Sequence, residues 1–527
     1  MSRPVNFVMF ITDQLRADHL GCYGNTVVKT PAIDAVAEKG FRFENMHVAT
    51  PICMPNRASM MTGRYPSVHG ARHNGIPLSL KARTFVETLR RSGYKTAQAG
   101  KIHLQNMTSL DPIWPVNPAE RQVDEAFEVD IGNYEQERRA KWLNNENYDL
   151  DYPYYGFEKV YLVDDHADIV HGHYRYWLRN EVPGGESLIG PENAIPAPEY
   201  QLTRINQAWR TRLSEDQYPS AYIANRSIDF LKEYATTDQP FFLQISFPDP
   251  HHPFTPPGKY WDMYKPEDMT LPSSFYSEKA LPQHLKWLYE RRDSGEATKR
   301  GTAVFACDER DAKEALALNY GSITNIDTQI GRVIAELERL GLDDNTVVIF
   351  TSDHGDFLGD HQLMLKGPIH YRGLTRVPFI WYDPHAQTVS GGSSDALTST
   401  IDIAPTILSR AQLRLFNGIQ GKDLQQIVNG VHADLRDALL IEEEGQRVIL
   451  GIDTRVRCRT LLTRRYRMTI YDAATWGELY DLELDPDEMN NLWDDAQAAS
   501  IRALMMEKLA YTNLELVEKS PYPEALA

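Results

Sequence analysis

The sequence predicts an α/β protein: a large, mostly parallel sheet sandwiched by helices, followed by a smaller C-terminal antiparallel α+β domain. Three observations point there. Apolar strand-like runs alternate with segments of helical period. Polar residues capable of chemistry collect where those runs end. Beyond about residue 435 the pattern changes to short strands followed by one helix.

Residues 6–12 (NFVMFIT) read as a buried strand ending at Asp13, 31–40 and 84–92 as helices, and 94–99 (YKTAQA) as a strand running into Gly100 and Lys101. A helix bearing Ile223, Ile228, Leu231 and Tyr234 precedes the strand at 241–247, after which come Asp249 and His251. Over 320–340, Ile323, Ile326, Ile330, Val333, Ile334 and Leu337 mark one helical face; the strand that follows ends in Asp353 and His354. In open parallel sheets the ligand crevice lies beyond the carboxyl ends of the strands, so these distant polar residues are expected to converge.

Residues 104–215, rich in Tyr, Trp, Asn, Asp and Pro, read as an excursion over that crevice, with Trp114, Tyr152, Tyr154, Tyr155 and Trp177 either shaping the pocket or equally serving packing. The expected division is a catalytic domain at 1–435 and an α+β subdomain at 436–527. The tail SPYPEALA and the loops leave room for a homo-oligomeric contact.

Bulk composition narrows the function. Among 527 residues, 55 are basic and 73 acidic, a formal charge of −18, which argues against nucleic acid and anionic membranes as partners. A small anionic substrate therefore needs a locally positive pocket. Cys22, Cys53, Cys307 and Cys458 are widely spaced, with no CxxC pair, so a reducing compartment is expected. The N-terminal apolar stretch is too short for a signal peptide, and no run approaches the roughly 20 apolar residues of a membrane span. A cytoplasmic protein is the expectation.

The candidate residues each have an ordinary alternative. Asp13 and Gln14 after a strand suit a turn or a helix cap, whereas Asp353 and His354 at a second strand end add donors suited to Ca²⁺, Mg²⁺ or Mn²⁺. Lys101 and His103, two apart, share a side if that segment is extended. His251 and Lys366 read equally as loop and surface residues. Cys53 has burial as its ordinary fate. Against that stands Arg57, one helical turn on, with Pro55 in the first turn of a helix whose N–H groups can face an anion.

Taken together, the segments resemble the sulfatase family of the alkaline phosphatase superfamily. CMPNR followed by MMTGR is similar to that family's Cys-x-Pro-x-Arg signature, and GYKTAQAGKIH to its second signature. TSDHGDFLGDHQLMLKG is similar to its metal and lysine segment, and ELYDLELDPDEMNNL to its C-terminal pattern. The resemblance spans nearly the whole chain, in order. It implies an alkaline phosphatase-like fold and hydrolysis of sulfate esters, with Cys53 converted to Cα-formylglycine by a formylglycine-generating or equivalent maturation enzyme.

By the same resemblance, Asp13, Gln14, Asp353, His354 and the modified Cys53 hold one divalent metal, Ca²⁺ by family habit with Mn²⁺ or Mg²⁺ as alternatives. Arg57 stabilises the aldehyde hydrate; Lys101, His251 and Lys366 bind sulfate and ease departure of the alcohol. His103 acts on the second hydroxyl, and Asn74 contacts substrate. Gln14 stands where the family usually has a second acidic residue, which resembles relatives that hydrolyse phosphonate monoesters and phosphodiesters. Lys101 and His103 form a pair those relatives lack. Met54 and Asn56 depart from the small residues common in the signature.

Overall fold

Strand β1 (Asn6–Thr12) is buried along its whole length, which is why NFVMFIT shows no polar face. Val8 and Phe10 pack into one apolar cluster, with the helices Pro31–Lys39, Pro219–Tyr234 and Glu309–Arg339. Phe7, Met9 and Ile11 point the other way, toward Cys53–Thr62, Phe85–Arg91 and Ile403–Arg410. The two-residue alternation of a strand thus feeds both faces of one sheet. This computed structural model describes residues 4–110, 126, 131–145, 147–277, 279–297, 299–386 and 391–525.

The further strands are β2 (Phe41–His47), β3 (Lys95–Gly100), β4 (Lys159–Asp164), β5 (His171–Gly172), β6 (Phe241–Phe247), β7 (Phe305–Ala306) and β8 (Thr346–Ser352). They continue with β9 (Leu363–Met364), β10 (Arg376–Tyr382), β11 (Gly392–Ser399), β12 (Leu439–Glu444), β13 (Arg457–Leu462), β14 (Tyr466–Tyr471) and β15 (Gly477–Asp481). The main sheet has nine strands in the order β11-β2-β10-β8-β1-β6-β3-β4-β5. It is parallel from β8 to β4 and between β11 and β2, while β10 and β5 run antiparallel to their neighbours. The expected mostly parallel sheet, covered by helices on both faces, is the one observed.

Register puts the polar residues together. Thr12 stands opposite Ser352 on one side of β1 and opposite Phe247 on the other. Asp13, Asp353 and Asp249 therefore leave three adjacent strands at one level, and Asp353 N–H donates to the Thr12 carbonyl at 3.1 Å. Lys101 joins them because its N–H donates to the Ser246 carbonyl at 2.9 Å. Gly100 has no alternative there: its φ is 113°, and a Cβ would stand 1.8 Å from that same carbonyl oxygen.

Two expectations change. The long helix begins at Glu309, eleven residues before the expected segment at 320–340, because Asp308 caps it by accepting from Asp311 N–H at 2.9 Å and small alanines carry its first buried turns. Residues 104–215 are not wholly an excursion. They supply β4, parallel to β3, and β5 beyond it; the six-residue KVYLVD run is hidden among aromatic and polar neighbours.

The aromatic residues of that segment serve packing. Tyr154 and Tyr155 are buried, donating to Glu137 Oε1 at 2.6 Å and the Leu78 carbonyl at 2.5 Å. Trp177 packs on Tyr174 and Tyr222, and Tyr152 is exposed, donating to Asp149 at 2.9 Å. Trp114 lies outside the described residues.

Beyond residue 435, β12-β13-β14-β15 form a separate four-stranded antiparallel sheet, joined by the helix Ala499–Glu515. The acidic run of β12 is buried because each carboxylate has a partner. Glu442 accepts from Ser67, Glu443 is paired with His370 at 3.0 Å, and Glu444 accepts from Arg72 at 3.3 Å. Glu442 N–H also donates to the Ala49 carbonyl, so this sheet docks just ahead of Cys53. Among the described residues, no helix is long and apolar enough to cross a membrane.

Candidate active site

Cys53 opens a fully buried helix, Cys53–Thr62, entered from extended Ile52 and closed by Gly63 in the left-handed region. Pro55 fits its first turn, where the missing N–H costs nothing. Asn56 locks this helix in place: its amide donates to the Asp353 carbonyl, and its oxygen accepts from Ala49 N–H and from Thr400 Oγ1 at 2.8 Å. The unusual residue in the signature therefore ties the Cys53 helix to the end of β8. Asn74 acts nearby, with Oδ1 accepting from Met54 N–H at 3.3 Å.

The Cys53 sulfur lies 2.7 Å from Lys366 Nζ, 3.1 Å from His354 Nε2 and 3.8 Å from Asp13 Oδ1. Lys366 also reaches His251 Nε2 at 3.2 Å and His354 Nε2 at 2.9 Å. Arg57 is buried between the two carboxylates, with Nε donating to Asp353 at 2.8 Å and Nη2 standing 3.6 Å from Asp13. Its Nη1 donates to the Lys101 carbonyl and to Ser246 Oγ. Lys101 Nζ sits 2.7 Å from Asp13 on the other side.

Electrostatics follow from this packing. Burial pushes the Asp13 carboxyl up, but Lys101, Arg57 and Lys366 outweigh it and hold the group well below the usual range. Burial and Asp13 raise the Cys53 thiol; Lys366 and His354 outweigh them and leave it below its ordinary value. Burial, aided by neighbouring cations, holds His103, His251 and His252 well below the ordinary imidazole range, so these rings are neutral at pH 7.

One donor atom each from Asp13, Cys53, Asp353 and His354 lies within 4.8 Å of the others. His354 Nδ1–H donates to the Gly355 carbonyl at 2.8 Å, which turns the Nε2 lone pair inward. Gln14 has φ of 67°, donates its amide to Asp356, and keeps Oε1 buried without a hydrogen-bond partner. An orphaned amide oxygen beside two carboxylates and an imidazole fits a hard divalent cation. The Cys53 sulfur marks where an oxygen of the oxidised side chain would stand.

The matching family models decide what this site belongs to. The model described as "Sulfatase" matches residues 5–413, and the one described as "N-sulphoglucosamine sulphohydrolase, C-terminal" matches 359–515. The chain belongs to the sulfatase family. Sulfatases sit within the alkaline phosphatase superfamily, and they generally use formylglycine and a divalent metal.

The chain is 28% identical to an arylsulfatase of Clostridium perfringens, over 92% of this chain and 90% of that one. It is 30% identical to a multifunctional alkaline phosphatase superfamily protein of Trinickia caryophylli, over 96% and 95%. The solved phosphonate monoester hydrolase of Agrobacterium radiobacter superposes with a TM-score of 0.77 at 26% identity, covering 98% of this chain and 97% of that one.

Each candidate side chain of this sulfatase has a definite place. Asp13, Gln14, Cys53, Arg57, Lys101, His251, Asp353, His354 and Lys366 are joined by the contacts above. His103 is buried with Nδ1 unpartnered by a hydrogen bond, but its φ of 53° breaks the extended backbone expected across Lys101–His103. Asn74 spends its side-chain oxygen on the Cys53 helix. His166, Asp356 and His252 were not among the candidates. His166 Nε2 is 2.7 Å from Lys101 Nζ, and its ring stacks on His251 at 3.6 Å. It follows the strand end of β4, the same signal that marks Asp13, masked by the reading of 104–215 as an excursion. His252 Nδ1 lies 3.2 Å from the Gln14 amide nitrogen.

Proposed function

We propose that this sulfatase hydrolyses sulfate monoesters of the aryl sulfate type, through a formylglycine hydrate formed from Cys53 and one divalent metal. The observation that supports this best is the convergence of Asp13, Cys53, Asp353 and His354 within 4.8 Å, with Lys366 Nζ 2.7 Å from the reacting position. Asp13, Gln14, Asp353 and His354 would hold the cation beside position 53; Ca²⁺ is the first choice, Mn²⁺ or Mg²⁺ the alternatives. A cation held there would supply Lewis acidity toward the sulfuryl oxygens and the attacking hydroxyl. The aldehyde hydrate supplies that hydroxyl and a second one, whose deprotonation releases sulfate without attack by water.

The remaining work falls to this chain's own side chains. Lys366 and Lys101 place ammonium groups on two sides of the nucleophile, where negative charge on the sulfuryl oxygens grows. His251, neutral and 3.2 Å from Lys366, accepts from that ammonium and holds it toward the sulfate oxygens and the departing alcohol, whose negative charge the Lys366 ammonium then meets. Arg57 stays fixed by Asp353, Asp13 and Ser246 and stabilises the hydrate. His103, also neutral, takes the proton of the second hydroxyl. Asn74 holds the nucleophile helix through Met54 and lies beside the substrate.

The division into 1–435 and 436–527 places β12 at the start of the C-terminal subdomain. Four free thiols support a reducing, cytoplasmic setting, where a formylglycine-generating or equivalent enzyme would oxidise Cys53. A homo-oligomeric contact through loops or the C-terminal tail also belongs to this reading.

Gln14 favours a second reading, hydrolysis of phosphonate monoesters or phosphodiesters with the same nucleophile, because it removes one negative charge from the metal set. Turnover of an aryl sulfate, an aryl phosphonate monoester and a phosphodiester on one preparation separates the two. We expect the sulfate to lead in kcat/KM; a sulfate rate far below both others would overturn the first reading in favour of the second.

A further inference from the structure

The cleft over Lys366 is walled on one side by the turn that follows β12. Ile52, Asn74, Thr302, Lys366, Glu443 and Arg447 line it, the Glu443 carboxylate being paired with His370 at 3.0 Å. That turn is fastened at several points. Gly445 N–H donates to the Val456 carbonyl at 2.7 Å, the Gln446 amide donates to the Asn74 carbonyl, and Arg447 Nη2 donates to Thr302 Oγ1 at 2.9 Å. Arg447 is thereby held in a fixed pose beside the nucleophile's cleft.

Its charge lacks an anionic partner. Arg447 is half-buried, and no ion pair joins it to a carboxylate among the described residues. Arginines on β13 and β14 behave otherwise: Arg457 faces Glu444, Arg459 faces Glu442, and Arg467 is paired with Glu478 and Glu488. In a chain with 73 acidic residues, a half-buried guanidinium without an ion pair in a cleft that Lys366 also lines is an electrostatic cost to the free protein. Burial alone pushes its pKa down, with no carboxylate opposing it. A guanidinium fork matches a group that presents two anionic oxygens. Lys366 already serves the scissile group, so Arg447 faces a different part of the substrate.

We infer that Arg447 binds a second anionic group of the substrate, a carboxylate or a further sulfate, carried beside the ester that Cys53 attacks. The inference rests on the proposed sulfate-ester reading for its orientation and deepens it: the substrate is a dianion or more, with the extra charge on the alcohol portion. The C-terminal subdomain then sets specificity, while the main sheet supplies the reaction.

The test uses the whole enzyme and two unreactive arylmethanesulfonates, one with a ring carboxylate and the other its methyl ester. Calorimetry is expected to show the carboxylate binding about 10-fold more tightly to the wild type, the equivalent of about 1.4 kcal/mol. In Arg447→Gln that ratio should collapse toward one, and in Arg447→Lys it should fall between, since the charge remains but the fork is lost. A third probe, with a second sulfonate in place of the carboxylate, tells the two anion types apart. Equal binding of acid and ester by the wild type, or a preference that survives in Arg447→Gln, would overturn the inference. Turnover of the matching aryl sulfates is measured alongside. Carboxylate discrimination in binding with no sulfate turnover would sink the reaction reading and leave the Arg447 site standing.

Discussion

Lys366 places its ammonium nitrogen 2.7 Å from the sulfur of Cys53, although 313 positions separate the two residues. The same nitrogen touches His354 and His251. One lysine thus joins the proposed nucleophile, the proposed metal set and the histidine of the β6 loop, and lowers the thiol that burial would raise.

Cys53→Ala should abolish multiple turnover while leaving the fold intact, since the sulfur donates nothing to the core beyond a small volume. Mass spectrometry of the Cys53 peptide from the native host should show an aldehyde in place of the thiol. A variant that still turns over aryl sulfate, or a wild-type peptide carrying only the thiol, refutes the nucleophile assignment.

Gln14→Asp should make stability more dependent on metal. Gln14 donates its amide to Asp356, whose carboxyl burial pushes up to about 6. An aspartate there loses the donor and sets carboxyl against carboxyl, a loss of about 1–3 kcal/mol in the presence of chelator. Saturating Ca²⁺ or Mn²⁺ should restore the variant by more than it stabilises the wild type. Thermal unfolding with and without metal measures both increments, and equal increments would contradict the placing of Gln14 in the metal set.

Asn56→Ala should cost about 2 kcal/mol, because the Asp353 carbonyl, Ala49 N–H and Thr400 hydroxyl lose a shared buried partner. The nucleophile helix would loosen against β8, so kcat should drop more than KM rises. Denaturant unfolding together with steady-state kinetics checks this; wild-type stability in the variant would mean that the tie carries no weight.

Stability should fall in mild acid through His69. Its Nδ1 accepts from Ala71 N–H at 3.2 Å and its Nε2 lies 3.0 Å from Ser59 Oγ, so the buried ring is neutral, and burial lowers its pKa from 6.5 to about 3. The folded state then binds fewer protons than the unfolded chain between those two values. Stability from this group is complete above 6.5 and is lost as pH falls toward 3. From pH 7.5 to pH 5 the advantage of wild type over His69→Gln should shrink by about 2 kcal/mol. A gap independent of pH in urea titrations would show that His69 is not the titrating group.

Much of the site was legible because strand ends announce themselves. Asp13, Lys101, Asp353 and His354 each follow an apolar run, and parallel pairing must bring such ends to one edge. His166 obeys the same rule but was obscured, since KVYLVD is short and lies in an aromatic, proline-rich neighbourhood without clean period. The aromatic residues there stayed open between pocket and packing for the opposite reason: composition says that Tyr154, Tyr155 and Trp177 bury surface, not which surface they bury.

Sequence alone determined the class of fold, the alternation of strands and helices, the switch to antiparallel strands near residue 435 and the signature around Cys53. These are properties of local period and of spacing along the chain, and they persist whatever the chain packs against. Only the tertiary structure decided that Asn56 is a tie between helix and strand, that Gln14 keeps one buried oxygen free, and that Arg447 stands uncompensated over Lys366. Each depends on which partner arrives from hundreds of residues away, and hydrogen bonds and charges are satisfied across space rather than along the chain.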